Sequence, residues 1–123
     1  MSTQNYATQM EAARKGIITR ELKIAAEKEK MTAEELMPLV ASGKVVIPAN
    51  KNHACLDPEG VGSMLRTKIN VNLGVSRDCK DYDIEMKKVM SAVDMGAEAI
   101  MDLSSHGNTQ PFRRKLTAEC PAM

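Results

Sequence analysis

Apolar residues in the first half of the chain recur at helical spacing between polar stretches, which predicts three helices. The first is a polar helix over residues 3–15, and the second covers residues 19–30. The third begins at Thr32, because Thr32 followed by Glu35 forms a capping box, in which each side chain binds a free backbone N–H group at the other residue. Pro38 lies inside this helix and should kink it or shift its start.

The second half of the chain has a different spacing. Residues 67–73 alternate strictly between polar and apolar, which predicts a strand with one apolar face. Residues 81–95 carry apolar side chains at helical spacing, and residues 97–103 are apolar on both faces, as buried parallel strands are. A last helix is predicted over residues 112–119, with Pro111 at its first position.

A short strand and a loop separate these two halves. Residues 44–47 are β-branched and predict a strand that ends at Pro48. Residues 48–64 are rich in Asn, Pro and Gly, which is typical of a loop. We therefore divide the chain into a helical segment, residues 1–66, and a strand–helix–strand–helix segment, residues 67–123.

The order of elements in residues 67–123 predicts parallel strands joined by a right-handed crossover. A closed (β/α)₈ barrel needs about 250 residues, so this segment supplies only its first two β/α units. The sequence reaches Met123 where a third strand would begin. The predicted fold class is therefore α/β, with an N-terminal helical segment followed by an incomplete TIM-like barrel. A small open α/β domain is the alternative.

Composition and charge exclude several classes of protein. Apolar residues make up 43% of the 123 residues, which is enough for a folded core. The chain has 17 basic and 16 acidic residues, so its charge offers no attraction for nucleic acid or for an anionic membrane. No apolar run reaches membrane-spanning length, and the first residues lack the apolar stretch of a signal peptide. We therefore expect a cytoplasmic protein.

Polar residues on the first strand of the barrel segment are candidates for ligand binding. Lys68, Asn70 and Asn72 share one face, which would point into the barrel, and Asn72 lies nearest the carboxyl end of the strand. Barrel enzymes place their ligand-binding groups at that end. The alternative is an edge strand with one face in water.

A second group of polar residues follows the next strand, at Asp102, Ser104, Ser105 and His106. A carboxylate and an imidazole at this place could bind substrate or a metal ion. In the alternative interpretation, Asp102 and the serines cap neighbouring backbone N–H groups, and His106 is a surface loop residue.

Other candidate residues carry weaker signals. Arg113 and Arg114 could bind a phosphate, although two basic residues on a short helix are usually solvated. His53 and Cys55 suggest a metal-binding pair, but no further ligand lies near them in the sequence. The cysteines are at positions Cys55, Cys79 and Cys120. They form no Cys-x-x-Cys motif, so we expect buried or idle thiols in a reducing compartment.

Four strings of the sequence carry a more specific signal than spacing does. They are TQMEAARKGIIT at residues 8–19, VIPANKNH at 46–53, KINVNLG at 68–74 and GAEAIMDLS at 96–104. Taken together and in this order, they resemble the thiamin-pyrimidine synthase (ThiC) family of radical-SAM enzymes. The resemblance covers most of the chain.

The resemblance implies a carbon–carbon lyase on a (β/α)₈ barrel that rearranges aminoimidazole ribotide. The thiamin branch of the family makes hydroxymethylpyrimidine phosphate. A sister branch makes 5-hydroxybenzimidazole, a precursor of the lower ligand of cobalamin-type cofactors. Residues 102–116, which read DLSSHGNTQPFRRKL, depart from the Asp-Leu-Ser-Thr-Gly of the thiamin branch and resemble the benzimidazole branch. The product therefore stays open.

The resemblance also implies site residues and cofactors. Asn72 matches a substrate-binding Asn of the family, and Met101 matches a substrate-binding Met that acts through its backbone or its packing. Full-length members use S-adenosylmethionine, a 4Fe-4S cluster and zinc, whose ligands would lie beyond Met123, and they form homodimers. We therefore expect this chain to be inactive alone. The alternative is a free-standing, non-catalytic α/β binding or interaction module derived from the family.

Overall fold

The structure is a computed structural model of the chain, and it describes residues 5–123. These residues divide into two units, which we call the first unit and the second unit. The first unit contains the chain up to Ala49 together with Pro58–Thr67, and the second contains Asn50–Asp57 together with Lys68–Met123. Residues 50–57 therefore leave the first unit and pack with a part of the chain that follows much later in the sequence.

Three helices form most of the first unit, and each begins after a threonine. They are α1 (Gln9–Arg14), α2 (Arg20–Lys28) and α3 (Ala33–Ala41). The hydroxyl groups of Thr8, Thr19 and Thr32 accept hydrogen bonds from the free backbone N–H groups of the first turn. The first helix is shorter than predicted, because its cap is Thr8. Its predicted start at Thr3 lies outside the described residues.

The predicted capping box of α3 is present. The Thr32 N–H group donates to the Glu35 carboxylate over 2.8 Å, and the Glu35 N–H group donates to the Thr32 hydroxyl over 3.2 Å. Pro38 does not shift the start of the helix, which continues through it to Ala41. The local capping bonds therefore fix where α3 begins.

The core of the first unit is closed by a short antiparallel pair of strands, β1 (Val45–Val46) and β2 (Val61–Gly62). Val45 is buried together with Leu22 and Leu36. Our prediction that residues 48–64 form only a loop missed β2. A strand of two residues is too short to show the alternation by which strands are recognised in a sequence. Gly62 has a positive φ, and a Cβ there would collide with the Lys44 carbonyl, so this pairing requires glycine.

The second unit consists of two strands and the helix that follows each of them. The elements are β3 (Asn70–Leu73), α4 (Tyr82–Asp94), β4 (Ala99–Asp102) and α5 (Thr109–Glu119). The strands are parallel, as predicted, and Asn70 pairs with Ala99. Helix α5 begins earlier than predicted, so Pro111 is its third residue. A proline is tolerated there because the N–H groups of the first turn have no partner within the helix.

The helices cover one face of the β3–β4 sheet. Leu73 and Ile100 pack against a cluster of buried side chains from α4 and α5 that includes Val89 and Phe112. The prediction that β4 is buried on both faces is wrong for the described residues, because Met101 on its other face is 48% exposed. The sheet thus has one covered face and one exposed face.

The mixed α/β class is confirmed, and within residues 5–123 the strands form two-stranded sheets that do not close into a barrel. The outer edge of β4 is partly occupied by Met123. Its N–H group donates to the Glu98 carbonyl over 3.0 Å, and its carbonyl accepts from the Ile100 N–H group over 2.9 Å. A residue of a neighbouring parallel strand makes such a pair of bonds. None of the helices described for residues 5–123 is long and apolar enough to cross a membrane.

Candidate functional site

The two residues that the resemblance singled out lie side by side on the exposed face of the β3–β4 sheet. Asn72 and Met101 are direct partners in the parallel register, and Asn70 is the partner of Ala99. Partners in such a ladder present their side chains on the same face. We call Asn70, Asn72, Ala99 and Met101 the open face. The structure thus brings together two residues from strands that are connected by a whole helix.

The amide groups on the open face are oriented by a hydrogen bond between them. The Nδ2 atom of Asn70 donates to the Oδ1 atom of Asn72 over 2.8 Å. The oxygen of Asn72 is therefore engaged, and its amide N–H groups are available as donors. Lys68, which we predicted on the same face, lies before the start of β3 and is half-buried. The chemistry that this face offers is an amide donor beside an apolar, polarisable thioether.

Asp102 belongs to the opposite side of the sheet, because it follows Met101 directly and pairs with Leu73. Its carboxylate accepts from the Ser104 N–H group over 2.9 Å, from the Ser104 hydroxyl, and from Nε of Arg113 over 2.7 Å. Burial alone would raise the pKa of Asp102, but these hydrogen bonds and the Arg113 charge outweigh it and lower that pKa. Asp102 is therefore a charged group that organises the turn after β4.

Ser105 and His106 lie in that turn and are exposed. The Ser105 hydroxyl and Nδ1 of His106 are 2.8 Å apart, and the Tyr82 hydroxyl donates to the His106 carbonyl over 3.3 Å. In the part of the chain that the structure describes, no group of three His, Cys, Asp or Glu side chains could hold a metal ion. These residues therefore match the capping and surface interpretation more closely than a metal site.

The two arginines of α5 differ in their surroundings. Arg113 forms an ion pair with Asp102, while Arg114 is exposed and lines a shallow groove with Thr109 and Gln110. Arg113 is thus engaged within the protein. Arg114 is exposed to solvent, as basic residues on a short helix usually are.

His53 and Cys55, the pair that suggested a metal site, both bind carbonyl groups at the end of α5. Nε2 of His53 donates to the Cys120 carbonyl over 2.6 Å, and the Cys55 thiol donates to the same oxygen over 3.1 Å. The thiol also lies 3.6 Å from the Thr117 carbonyl. The last carbonyl groups of a helix have no partner within it, so these side chains satisfy them. Cys120 is buried, and burial raises the pKa of its thiol.

The chain is similar over nearly its whole length to known sequences. The sequence model of the radical SAM ThiC family matches residues 8–123. The chain belongs to the radical SAM ThiC family. This match confirms the resemblance found in the four strings. The matched region includes β3, β4 and the open face.

Two relatives within the ThiC family show how much of such a protein this chain covers. It is 60% identical over 119 residues to the phosphomethylpyrimidine synthase of Clostridium botulinum (strain Hall), which is 97% of this chain and 27% of that protein. It is 62% identical over 119 residues to the phosphomethylpyrimidine synthase of Clostridioides difficile (strain 630), which is 28% of that protein. The chain therefore spans about a quarter of the length of the curated relatives it matches.

The ThiC-family chain also has a buried carboxylate that we did not predict. Glu85 on α4 is 1% exposed and accepts from the Gly74 N–H group over 2.9 Å and from Nζ of Lys88 over 2.6 Å. Glu85 thus holds the end of β3 from the helix side. A signal was present in the sequence, because Glu85 lies three residues after Tyr82 and four before Val89, on the apolar face of the predicted helix.

Proposed function

We propose that this chain is part of a radical-SAM synthase that acts on aminoimidazole ribotide, and that the open face forms one wall of its substrate site. The observation that carries the proposal is the pairing of Asn72 with Met101 on the exposed side of two parallel strands. Both residues lie in the second half of their strands, toward the carboxyl ends where parallel α/β folds bind ligands. Membership of the ThiC family supports the same substrate class.

The two side chains would have different roles. The Asn72 amide group would donate a hydrogen bond to an oxygen or nitrogen acceptor of the substrate. The Met101 thioether is polarisable and makes favourable contacts with aromatic rings, so it would pack against the imidazole ring. Together they would orient the ring on the sheet, while Asn70 fixes the direction of the Asn72 amide.

Within residues 5–123, the side chains do not fit a 4Fe-4S cluster or a zinc site. The Cys55 thiol is bound to carbonyl groups at the end of α5, Cys120 is buried there, and Cys79 is exposed in the segment before α4. We therefore propose that residues outside this chain hold the cluster, S-adenosylmethionine and zinc. A homodimeric, cytoplasmic enzyme is part of the same proposal.

Two products compete. The relatives at 60–62% identity are phosphomethylpyrimidine synthases, which favours hydroxymethylpyrimidine phosphate and thiamin synthesis. The run of residues 102–116 resembles the benzimidazole branch, which favours 5-hydroxybenzimidazole and cobalamin synthesis. Ser105 and His106 are exposed just after β4, so they could contribute to the difference.

The test is a chimaera in which this chain replaces the matching segment of the Clostridioides difficile synthase. At 62% identity over 119 residues, the remainder of that protein should accept the replacement. The chimaera is incubated anaerobically with S-adenosylmethionine and aminoimidazole ribotide, beside the unmodified synthase, and the products are identified by mass spectrometry. We expect turnover of aminoimidazole ribotide. An inactive chimaera beside an active parent would contradict the proposal.

A further inference from the structure

One serine joins the ends of the two strands that carry the open face. The hydroxyl of Ser104, just after β4, accepts a hydrogen bond from the Val75 N–H group over 3.1 Å, and Val75 follows β3. The same hydroxyl donates to Oδ1 of Asp102. The Ser104 side chain therefore bridges the segment after β3 to a residue of β4.

This bridge continues to α5. The other carboxylate oxygen of Asp102, Oδ2, accepts from Nε of Arg113 over 2.7 Å. An ionised carboxylate only accepts hydrogen bonds, so Asp102 orients both donors at once. Asp102 is ionised at neutral pH, because its pKa lies below the ordinary carboxyl value. A continuous path of hydrogen bonds thus runs from the backbone of Val75 through Ser104 and Asp102 to Arg113.

The strand ends approach each other closely at this bridge. Gly74 has a φ of +144°, and a Cβ at that position would lie 2.5 Å from the Ser104 nitrogen, so only glycine fits. The Ser105 N–H group also donates to the Val75 carbonyl over 3.1 Å. Asn72 is two residues before Gly74, so a shift of this contact would move Asn72 relative to β4.

We propose that Ser104 is a positioning residue of the substrate site, which keeps Asn72 and Met101 in register by tying Val75 to Asp102. This inference rests on the function proposed above. The Ser104 hydroxyl is the group that matters, because an alanine variant would keep the hydrogen bond from the Ser104 N–H group to the Asp102 carboxylate. The Ser104 hydroxyl is engaged with the Val75 N–H group and the Asp102 carboxylate, so its effect on the site is exerted through these two partners.

The experiment compares Ser104→Ala with Ser104→Thr in the chimaera. Losing the hydroxyl should raise the KM for aminoimidazole ribotide about three- to tenfold, since one net hydrogen bond is at stake, and leave the KM for S-adenosylmethionine unchanged. Threonine keeps a hydroxyl and should restore the KM to within about twofold. Ser91→Ala is the matched control, because Ser91 is an exposed serine on α4.

A second measurement reports on the bridge itself. Hydrogen exchange of the peptide that contains Val75 should be faster in Ser104→Ala than in the parent, and should be slow again in Ser104→Thr. If Ser104→Ala leaves the KM for aminoimidazole ribotide unchanged, the positioning role is overturned, whatever the exchange shows. Equal changes in both KM values, with a lower Tm, would mean general destabilisation and would also overturn it. A chimaera that is inactive before any substitution overturns the proposed function, and the positioning role with it.

Discussion

The two units of the chain bury their apolar residues in different ways. In the first unit, three capped helices and a short strand pair enclose Leu22, Leu36 and Val45 on all sides. In the second, two helices cover one face of a two-stranded sheet and leave the side with Asn72 and Met101 exposed. The first unit is built as a closed core, whereas the second combines a core with a surface of defined chemistry.

Exposed apolar side chains alone do not distinguish the units. Val46 and Val61 face solvent in the first unit, where they are partners across β1 and β2. What sets the second unit apart is an amide that is oriented by Asn70 and lies directly beside Met101. The comparison teaches that the arrangement of polar and apolar groups, more than the exposed apolar area, marks the candidate site.

The largest effect should come from opening the core of the first unit. Leu36 is fully buried, so Leu36→Ala should lower the free energy of unfolding by about 2–5 kcal/mol through lost contacts and a cavity. Leu103→Ala is the matched control, since Leu103 is 57% exposed after β4, and it should cost less than about 0.5 kcal/mol. Urea denaturation measures both. If both variants lost a similar free energy of unfolding, the distinction between the closed core of the first unit and the exposed side of the second would not hold.

A smaller effect is expected at the buried carboxylate of the second unit. Glu85→Ala leaves the Gly74 N–H group without its acceptor and should cost about 1–3 kcal/mol. Glu85→Gln keeps an acceptor oxygen at the same place and should cost less. Urea denaturation measures the free energy of unfolding of both variants. Hydrogen exchange of the peptide that contains Gly74 shows whether the lost stability arises at this N–H group. If glutamine is as damaging as alanine, the contact with Gly74 is not what Glu85 contributes.

A change on the open face should affect binding and leave stability intact. Asn72→Ala in the chimaera removes a hydrogen bond worth about 0.5–1.5 kcal/mol, so the KM for aminoimidazole ribotide should rise about three- to tenfold at an unchanged Tm. Asn52→Ala is the matched control at an exposed position of the second unit. A lower Tm for Asn72→Ala with no change in KM would show that the amide pair is structural.

The smallest effect is expected on the stability of the fold at acidic pH. The pKa of Asp102 is lowered in the folded chain, so its stabilising contribution is complete above the ordinary carboxyl pKa of about 4 and is lost as the pH falls through the lowered value. Asp102→Asn should remove this part of the acid sensitivity, and urea denaturation from neutral to acidic pH measures it. The same acid dependence in Asp102→Asn and the parent would assign the effect to other carboxylates.

The sequence predicted best what depends on neighbouring residues. The capping box at Thr32 and the parallel strands are confirmed, and the alternating strand predicted over residues 67–73 is present from Asn70 to Leu73. The capping box follows from local hydrogen bonds, the alternation from the period of a strand, and the parallel pairing from the order strand–helix–strand. The early start of α5 was missed because Pro111 is tolerated anywhere in the first turn.

Features that depend on distant parts of the chain could not be predicted. Which face Asp102 occupies follows only from its register with Leu73, and its partner Arg113 then explains its role. His53 and Cys55 bind a carbonyl group that lies far along the sequence, at Cys120, so their spacing alone suggested a metal pair instead. The side-by-side position of Asn72 and Met101 likewise needed the register, although the family resemblance had named both residues.

The capping of α5 by residues 50–57 has a consequence for the order of folding during synthesis. All residues of the first unit have been made once Thr67 is added, and domains generally fold as units from the N-terminus as the chain emerges. Residues 50–57 then form a loop whose partners do not yet exist. They find the Thr117 and Cys120 carbonyls only when the last turn of α5 emerges. The second unit is therefore completed by a segment that is made before β3, α4, β4 and α5 and that waits until all four have been synthesised.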